Sequence, residues 1–468
     1  AGYYQFEQKI KEKEDAVERA VRLSPGHVVI VGCGFSGICL GIRLKQAGIP
    51  FIILEKNEQV GGTWFLNSYP NAACDVPAHL YSFSFEPKTD WSSPYAPQPE
   101  ILEYLKHVVE KYKLLDHIRF NTQVDSMSWD ASNNEWIVTC GDGSIHKPRY
   151  LINAVGALHV PSYPVDEQQR ETFQGAQFHS AEWDASVDLT GKRVAVVGSA
   201  ASAVQLVPAV AKQAKELIIV QRTPNWIATR QSPVLPRYRY SPLQKTILGN
   251  IPLAAFLHRS SIYWYHESTF LIGTFDREDS GRLGPKYIKK LLTKQMQKRL
   301  GNRQDLVDKL IPNYAPGCKR ILRTDDFLET LLEENVTLLA HGLDRIENNG
   351  IRVNGEHYPV DVIVYATGFK VGSIGKCVMS GKNLEASGLD LVETAKEAYL
   401  GVSMTAFPNS FVMLGANSGL GHNSIISFIE CQAAYITKLL CNAIDNNLSF
   451  EVKEHVVNRY YNNFVYPE

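Results

Sequence analysis

The stretch His27-Val-Val-Ile-Val-Gly32-Cys-Gly34-Phe-Ser-Gly37 decides the fold. A run of β-branched residues meets a glycine turn, and a helix-like segment follows from Ile38 to Ala47. A second apolar run, Phe51-Ile-Ile-Leu54, ends on Glu55. Strand, glycine turn, helix, strand and carboxylate in that order are the fingerprint of a dinucleotide-binding βαβ unit. Gly32 makes the tight turn, and Gly34 lets backbone N–H groups approach a pyrophosphate. Gly37 lets the helix pack on its strand, so the helix N-terminus faces the anion. Glu55 is placed to accept hydrogen bonds from a ribose diol.

A second unit begins at Arg193-Val-Ala-Val-Val-Gly198 and continues Ser-Ala200-Ala-Ser-Ala203. Only the first glycine of the pattern is kept. The next apolar run, Glu216-Leu-Ile-Ile-Val-Gln221, ends in Arg222-Thr223 rather than in an acid. A carboxylate there would repel a 2′-phosphate, whereas a guanidinium can clamp one bidentately, so the second unit is expected to take NADPH over NADH. Tyr150-Leu-Ile-Asn-Ala-Val-Gly156 and Val362-Ile-Val-Tyr-Ala-Thr-Gly368 are similar strand-to-glycine segments and mark two crossings between units. The fold class is therefore α/β, with two doubly wound Rossmann-like domains.

Composition narrows the function. The 468 residues carry a formal net charge of -1, which offers no basic field for nucleic acid. Eight cysteines show no CxxC pair and no metal-like spacing, so reduced thiols in a cytoplasmic setting and no metal site are expected. No CxxxxC pair follows the first glycine turn, which counts against a disulfide reductase. Residues 1–24 alternate charged and apolar side chains and read as a helical extension rather than a secretory leader. Ile247 to Leu271 is rich in Leu, Ile, Phe and Tyr but is broken by Pro252, His258, Arg259, His266 and Glu267. It reads as a packed helical layer, and membrane contact is not expected.

Between the two fingerprints lies Phe173-Gln-Gly-Ala-Gln-Phe-His179-Ser-Ala-Glu-Trp183-Asp184. It resembles the fingerprint of the flavin-dependent Baeyer–Villiger monooxygenases; relatives that oxidise nitrogen or sulfur usually carry Tyr or Phe in place of Trp183. The stretch Gly61 to Asp75, expected to be an ordered loop, resembles the same family's second signature through Gly62, Trp64, Tyr69, Pro70 and Asp75, with Asn71 where a glycine is usual. Ala366-Thr-Gly-Phe369 matches the family's crossing motif. The order of the four motifs is the family's. Many members continue past the last helix with an aromatic-rich tail; the sequence given ends at Glu468.

The resemblance implies an FAD-binding domain in two parts (25–158 and 363–468), an NADP-binding domain in two parts (159–232 and 315–362) and a helical insertion (233–314). It implies that NADPH reduces FAD and that dioxygen then adds at the flavin C4a carbon. The resulting C4a-peroxyflavin would attack a small-molecule ketone to give an ester or lactone. The alternative reading is oxygen transfer to sulfur or nitrogen. Gly317-Cys-Lys319-Arg320 resembles the family's basic pair, which makes Arg320 the catalytic cation, Asp75 the carboxylate that directs it, and Lys319 a ligand of the NADP phosphate. The FAD side comprises Gly32, Gly34, Phe35, Ser36, Gly37, Glu55, Lys56, Gly62, Thr63, Trp64, Asp75, Tyr81 and Val124. The NADP side comprises Gly198, Ser199, Ala200, Ser202, Ala203, Arg222, Thr223 and Lys319. His179, Ala366, Thr367 and Gly368 are assigned to the linkage between them. Cys74 reads as a packed thiol, and the Gly415 to Asn423 loop as part of the flavin pocket wall.

Overall fold

The chain is described here from a computed structural model over residues 14–20, 23, 26–273, 283–371, 377–382 and 398–465. Of the expected N-terminal extension, residues 14–20 are helical and most of the remainder lies outside the described residues. The first sheet has five parallel strands in the order Ser410–Val412, Tyr150–Asn153, Val28–Val31, Phe51–Leu54 and Ile118–Arg119. The second also has five parallel strands, in the order Val336–Leu339, Glu216–Val220, Arg193–Val197, Val362–Tyr365 and Ala176–His179. One face of each sheet is covered by helices and the other by a smaller sheet. On the first this smaller sheet is built on Val124–Asp130 and Glu135–Cys140, and on the second on Leu343–Glu347 and Gly350–Val353. With both faces covered, the central strands read as unbroken apolar runs, and every residue from Val28 to Val31 and from Tyr150 to Asn153 is buried.

Helix Phe35–Gln46 leads out of the first glycine turn and shares a core with the long helix Ile426–Asp445. Helix Ala201–Ala211 leads out of the second. The chain leaves the first sheet after Asn153 and the second after Tyr365, at the two strand-to-glycine segments. Their continuations run side by side, with Pro161 bridged to Phe369 and Ser162 N–H donating to Gly368 O at 2.9 Å.

Four local expectations are corrected. Ser126 to Thr139, which reads in the sequence as a strand-like run, is not one strand but a hairpin, Val124–Asp130 against Glu135–Cys140. Its turn is made by Asp130, whose carboxylate accepts the Ser132 and Asn133 N–H groups, and by Asn134 at φ 54°. Val336 to Leu343, also strand-like in sequence, splits as well: Val336–Leu339 is the strand, and a three-stranded meander (Leu343–Glu347, Gly350–Val353, Glu356–Pro359) follows it. The Gly61 to Asp75 stretch contains a helical turn, Thr63–Leu66.

The fourth correction concerns the insertion. It contains helices Pro242–Asn250, Pro252–Gly273, Leu283–Leu300 and Gln304–Leu310. Ile262, Leu292 and Met296 are buried beneath it, but the layer is not packed on both sides: Trp264 is 67% exposed and Phe256 65%.

Candidate active site

The two glycine turns are built alike. Gly32 has φ 102°, and a Cβ there would lie 2.7 Å from Ala154 O, at the end of the neighbouring strand. Gly198 has φ 111°, and a Cβ there would lie 2.3 Å from Ala366 O, again at the end of the neighbouring strand. Only glycine fits either position. The helices that follow start at Gly34 and Ala200 with no side-chain cap, so their first N–H groups are left for an anion. Gly37 is a packing position: its Cβ would strike Gly32 O at 2.0 Å.

Both turns open onto one cavity of about 1690 Å³. A pocket for one drug-sized ligand takes roughly 300–1,000 Å³, so this one has room for two nucleotides. At its first end Glu55 is buried and braces the turn. Its Oε2 accepts the Cys33 N–H at 2.7 Å, and its Oε1 accepts the Asn57 N–H and side-chain amide at 2.9 and 2.7 Å. A carboxylate has about four acceptor positions, which leaves one for a ribose hydroxyl. Gly61 and Gly62, both at positive φ, fold the next loop back over this turn, with the Gly61 N–H on Cys33 O at 3.0 Å. Trp64 then stands in the wall and donates its indole N–H to the Tyr81 hydroxyl at 3.1 Å. Burial pushes the Tyr81 phenol up, so it stays protonated.

The loop from Tyr69 to Asp75 is held by a residue that the sequence reading missed. Gln205, on the helix of the second unit, accepts from the Tyr69 hydroxyl at 2.9 Å and the Ala73 N–H at 3.3 Å. It donates to Ala73 O at 2.9 Å. The available signal was a single glutamine in a helix, Ala-Ser-Ala-Val-Gln-Leu-Val-Pro-Ala-Val-Ala, that is apolar at every position after Ser202 but this one. Asn71 sits at φ 63°, so it adopts the left-handed conformation that a glycine would take there.

Just beyond this clamp, Asp75 meets Arg320. The guanidinium donates Nε to Oδ2 at 2.6 Å and Nη2 to Oδ1 at 2.7 Å, a side-on fork. Two of its five N–H groups are used and three remain. The side chains are 35% and 23% exposed, and both residues line the cavity. Burial alone would lower the guanidinium pKa, but the charge and hydrogen bonds of Asp75 outweigh it and hold the pKa above its ordinary value. The site thus holds a permanent cation with free donors.

Arg222, Thr223, Lys319, Ser199, Ala200 and Ser202 line the second end of the same cavity. Lys319 Nζ lies 5.2 Å from the centre of the Tyr314 ring, whose hydroxyl donates to Pro224 O at 2.9 Å. That ties the basic pair to the segment after Arg222. Phe35, Ser36, Lys56, Thr63, Val124, Ala366, Thr367 and Gly368 are also in the wall, as is most of the Gly415 to Asn423 loop.

Three expected cofactor contacts are not in the wall. Gly37 and Ala203 lie behind it, inside the helix-to-strand packing. His179 is fully buried at the linkage, flanked by the rings of Tyr163 and Phe369 at 5.5 and 5.6 Å. Its Nδ1 accepts the Ala181 N–H at 3.1 Å, and burial lowers its pKa, so it is a neutral spacer between the crossing segments. Trp183 packs edge-on against Phe178 at 5.0 Å and also stays away from the cavity. Cys74 is a buried free thiol whose pKa burial pushes up.

Two nucleotide cradles on one cavity, with a fixed arginine at its wall, define an oxidoreductase that joins a flavin nucleotide to a pyridine nucleotide. Residues 29–252 match the family model described as pyridine nucleotide-disulphide oxidoreductase. All eight cysteines are free, so the match concerns the nucleotide-binding fold. The chain is 37% identical to a Baeyer–Villiger monooxygenase of Pseudomonas aeruginosa, over 92% of this chain and 80% of that protein. It is 34% identical to a Baeyer–Villiger monooxygenase of Streptomyces coelicolor, over 88% and 78%. Among solved structures, that of OTEMO in complex with FAD and NADP matches with a TM-score of 0.81 and 27% identity, over 95% of this chain and 90% of that one. An ε-caprolactone-bound cyclohexanone monooxygenase matches at 0.78 and 25%, over 92% and 91%. The chain belongs to the Baeyer–Villiger monooxygenases, enzymes that work with FAD and NADPH.

Proposed function

We propose that the chain converts a small-molecule ketone, O2, NADPH and a proton into an ester or lactone, NADP+ and water, with Arg320 at the reacting carbonyl. The observation that carries this reading is the side-on Arg320–Asp75 pair, set in the wall of the cavity onto which both glycine turns open. Bound FAD, reduced by NADPH, supplies the activation of dioxygen. The Gly32 turn, the N-terminus of helix Phe35–Gln46 and Glu55 hold the FAD diphosphate and ribose. The Gly198 turn, Ser199, Arg222, Thr223 and Lys319 hold NADPH. In domain terms, 25–158 with 363–468 bind FAD, 159–232 with 315–362 bind NADP, and 233–314 is an insertion.

Asp75 fixes the direction of the guanidinium through two bonds, and the three free N–H groups stabilise the negative charge that develops on the substrate oxygen. Because the guanidinium stays charged, no proton has to be moved for it to act. Trp64 and the Gly415 to Asn423 loop keep bulk water from this end of the cavity. The eight free cysteines support a reducing, cytoplasmic setting.

The test is product analysis by mass spectrometry of the FAD-loaded protein with NADPH, air and a substrate carrying both a ketone and a thioether. An ester is expected. A sulfoxide alone would replace this reading with heteroatom oxidation.

A further inference from the structure

Eleven of the twenty-one large hydrophobic side chains exposed among the described residues lie between Tyr238 and Leu291, in the insertion. They are not scattered. On helix Pro252–Gly273, Leu253, Phe256, Leu257 and Trp264 recur at helical spacing and share one face, while Ile262 and His266 on the other face are buried. On the preceding helix, Pro242–Asn250, Leu243 and Ile247 stand one turn apart and are both exposed. The two helices pack against each other, and so many exposed apolar side chains on adjoining helices mark an interaction surface.

The charge beside it says what the surface meets. The next helix, Leu283–Leu300, packs against Pro252–Gly273. It contains five lysines, one arginine and no acidic residue. Lys286, Lys290, Lys294 and Lys298 recur every four residues as an exposed stripe. Ahead of the first helix, Arg237 and Arg239 flank the exposed Tyr238. Apolar side chains next to a basic stripe are the pattern of a segment that lies in the headgroup region of a negatively charged bilayer. A second copy of this chain suits the surface poorly, since a twofold interface would set one lysine stripe near the other. Among the described residues no helix is long and apolar enough to cross a membrane, but lying on one needs only an amphipathic face.

We propose that the face formed by helices Pro242–Asn250 and Pro252–Gly273, with the lysine stripe of Leu283–Leu300, docks on an anionic phospholipid surface. The docking helix also reaches the active site. Near its C-terminal end, Glu267 accepts from Asn423 Nδ2 at 2.7 Å, and Asn423 lines the cavity. The bilayer therefore holds the same element that braces one wall of the site.

The test uses the FAD-loaded enzyme and co-sedimentation with vesicles of phosphatidylcholine alone or mixed with phosphatidylglycerol. Binding is expected on the mixed vesicles, weakening with added salt. The double variant Lys290→Gln, Lys294→Gln should weaken it roughly 25-fold, about fivefold for each lysine neutralised. Phe256→Ser with Leu257→Ser should abolish it while leaving NADPH oxidation in vesicle-free buffer unchanged. The difference in emission between the wild-type protein and Trp264→Phe should shift to the blue on mixed vesicles. No binding to the mixed vesicles, or equal binding to both kinds, overturns the proposal. So does a concentration-dependent dimer that Phe256→Ser with Leu257→Ser dissolves, since the face would then belong to a second copy.

Discussion

Arg320 and Asp75 are 245 positions apart in the chain, yet their side chains meet in a two-bond, side-on fork at 2.6 and 2.7 Å. Asp75 ends a loop that leaves the first glycine turn, and Arg320 precedes the short strand Leu322–Arg323, which pairs with Ile227–Ala228 beyond the second turn. The pair therefore spans the two nucleotide-binding units. Its geometry depends on how those units are seated on each other, and Gln205 adds three hydrogen bonds across the same seam.

Arg320→Ala should still accept electrons from NADPH but lose ester formation by about 10²–10³, the usual cost of removing one donor from a developing oxyanion. Asp75→Ala should lose nearly as much, because an undirected guanidinium no longer points at the carbonyl. The double variant should be little worse than either single one, since the two groups act as a unit. The measurement is ester yield against NADPH consumed, with hydrogen peroxide accounting for the difference. Additive losses would mean that the two residues work separately.

Arg222 should discriminate between the two pyridine nucleotides. It lines the second end of the cavity, where a 2′-phosphate is expected, and a hydrogen bond to a charged group is worth about 1.5–3 kcal/mol. Arg222→Ala should therefore raise the KM for NADPH roughly 10- to 100-fold and leave kcat/KM with NADH near its starting value. Steady-state kinetics with both nucleotides checks this. Equal losses with both would place Arg222 outside the phosphate site.

Asn71 makes a stability prediction. At φ 63° it stands in a conformation that costs most L-residues about 1–2 kcal/mol. Asn71→Val should lower stability by that amount relative to Asn71→Gly in denaturant titrations. Asn71→Gly should stay within about 1 kcal/mol of the natural protein, losing chiefly the 3.3 Å bond from Nδ2 to Gln205 O. Equal stability of the two variants would show that the loop relaxes away from this geometry.

The sequence was most legible where one residue type is forced by backbone geometry. Gly32 and Gly198 must be glycines because a carbonyl oxygen lies where a Cβ would be, so both turns stand out in the sequence. Gln205 was not legible, because nothing local marks a glutamine as a clamp; its partners lie more than 130 positions away. The hairpin at Asp130 was missed for a different reason: its turn uses an Asp and Asn134 rather than glycine. The exposed face of the insertion was hidden because helical periodicity shows that a face is apolar but not whether anything covers it. Trp183 shows the reverse case, a residue that identifies the family yet stays away from the cavity.

Acid should destabilise the fold before its carboxylates titrate, because burial lowers the pKa of several histidines, His79, His159, His179, His258 and His266 among them. The rings of His79 and His266 are both buried, and in each Nε2 has no hydrogen-bond partner among the described residues. Burial, with smaller repulsion from nearby cationic groups, pushes His79 from 6.5 down to about 3 and His266 down to about 4. Because the folded pKa values lie below the unfolded ones, the unfolded chain binds more protons between the two. Stability is complete above pH 6.5 and falls as pH drops from there toward 4. The slope should be about 1.4 kcal/mol per pH unit for each ring. Denaturant midpoints measured from pH 7.5 to 5 should show this fall, and a His266→Phe variant should remove one ring's share of the slope, with His79, His159, His179 and His258 still contributing. A flat profile in the natural protein would mean that these rings reach water in the folded state.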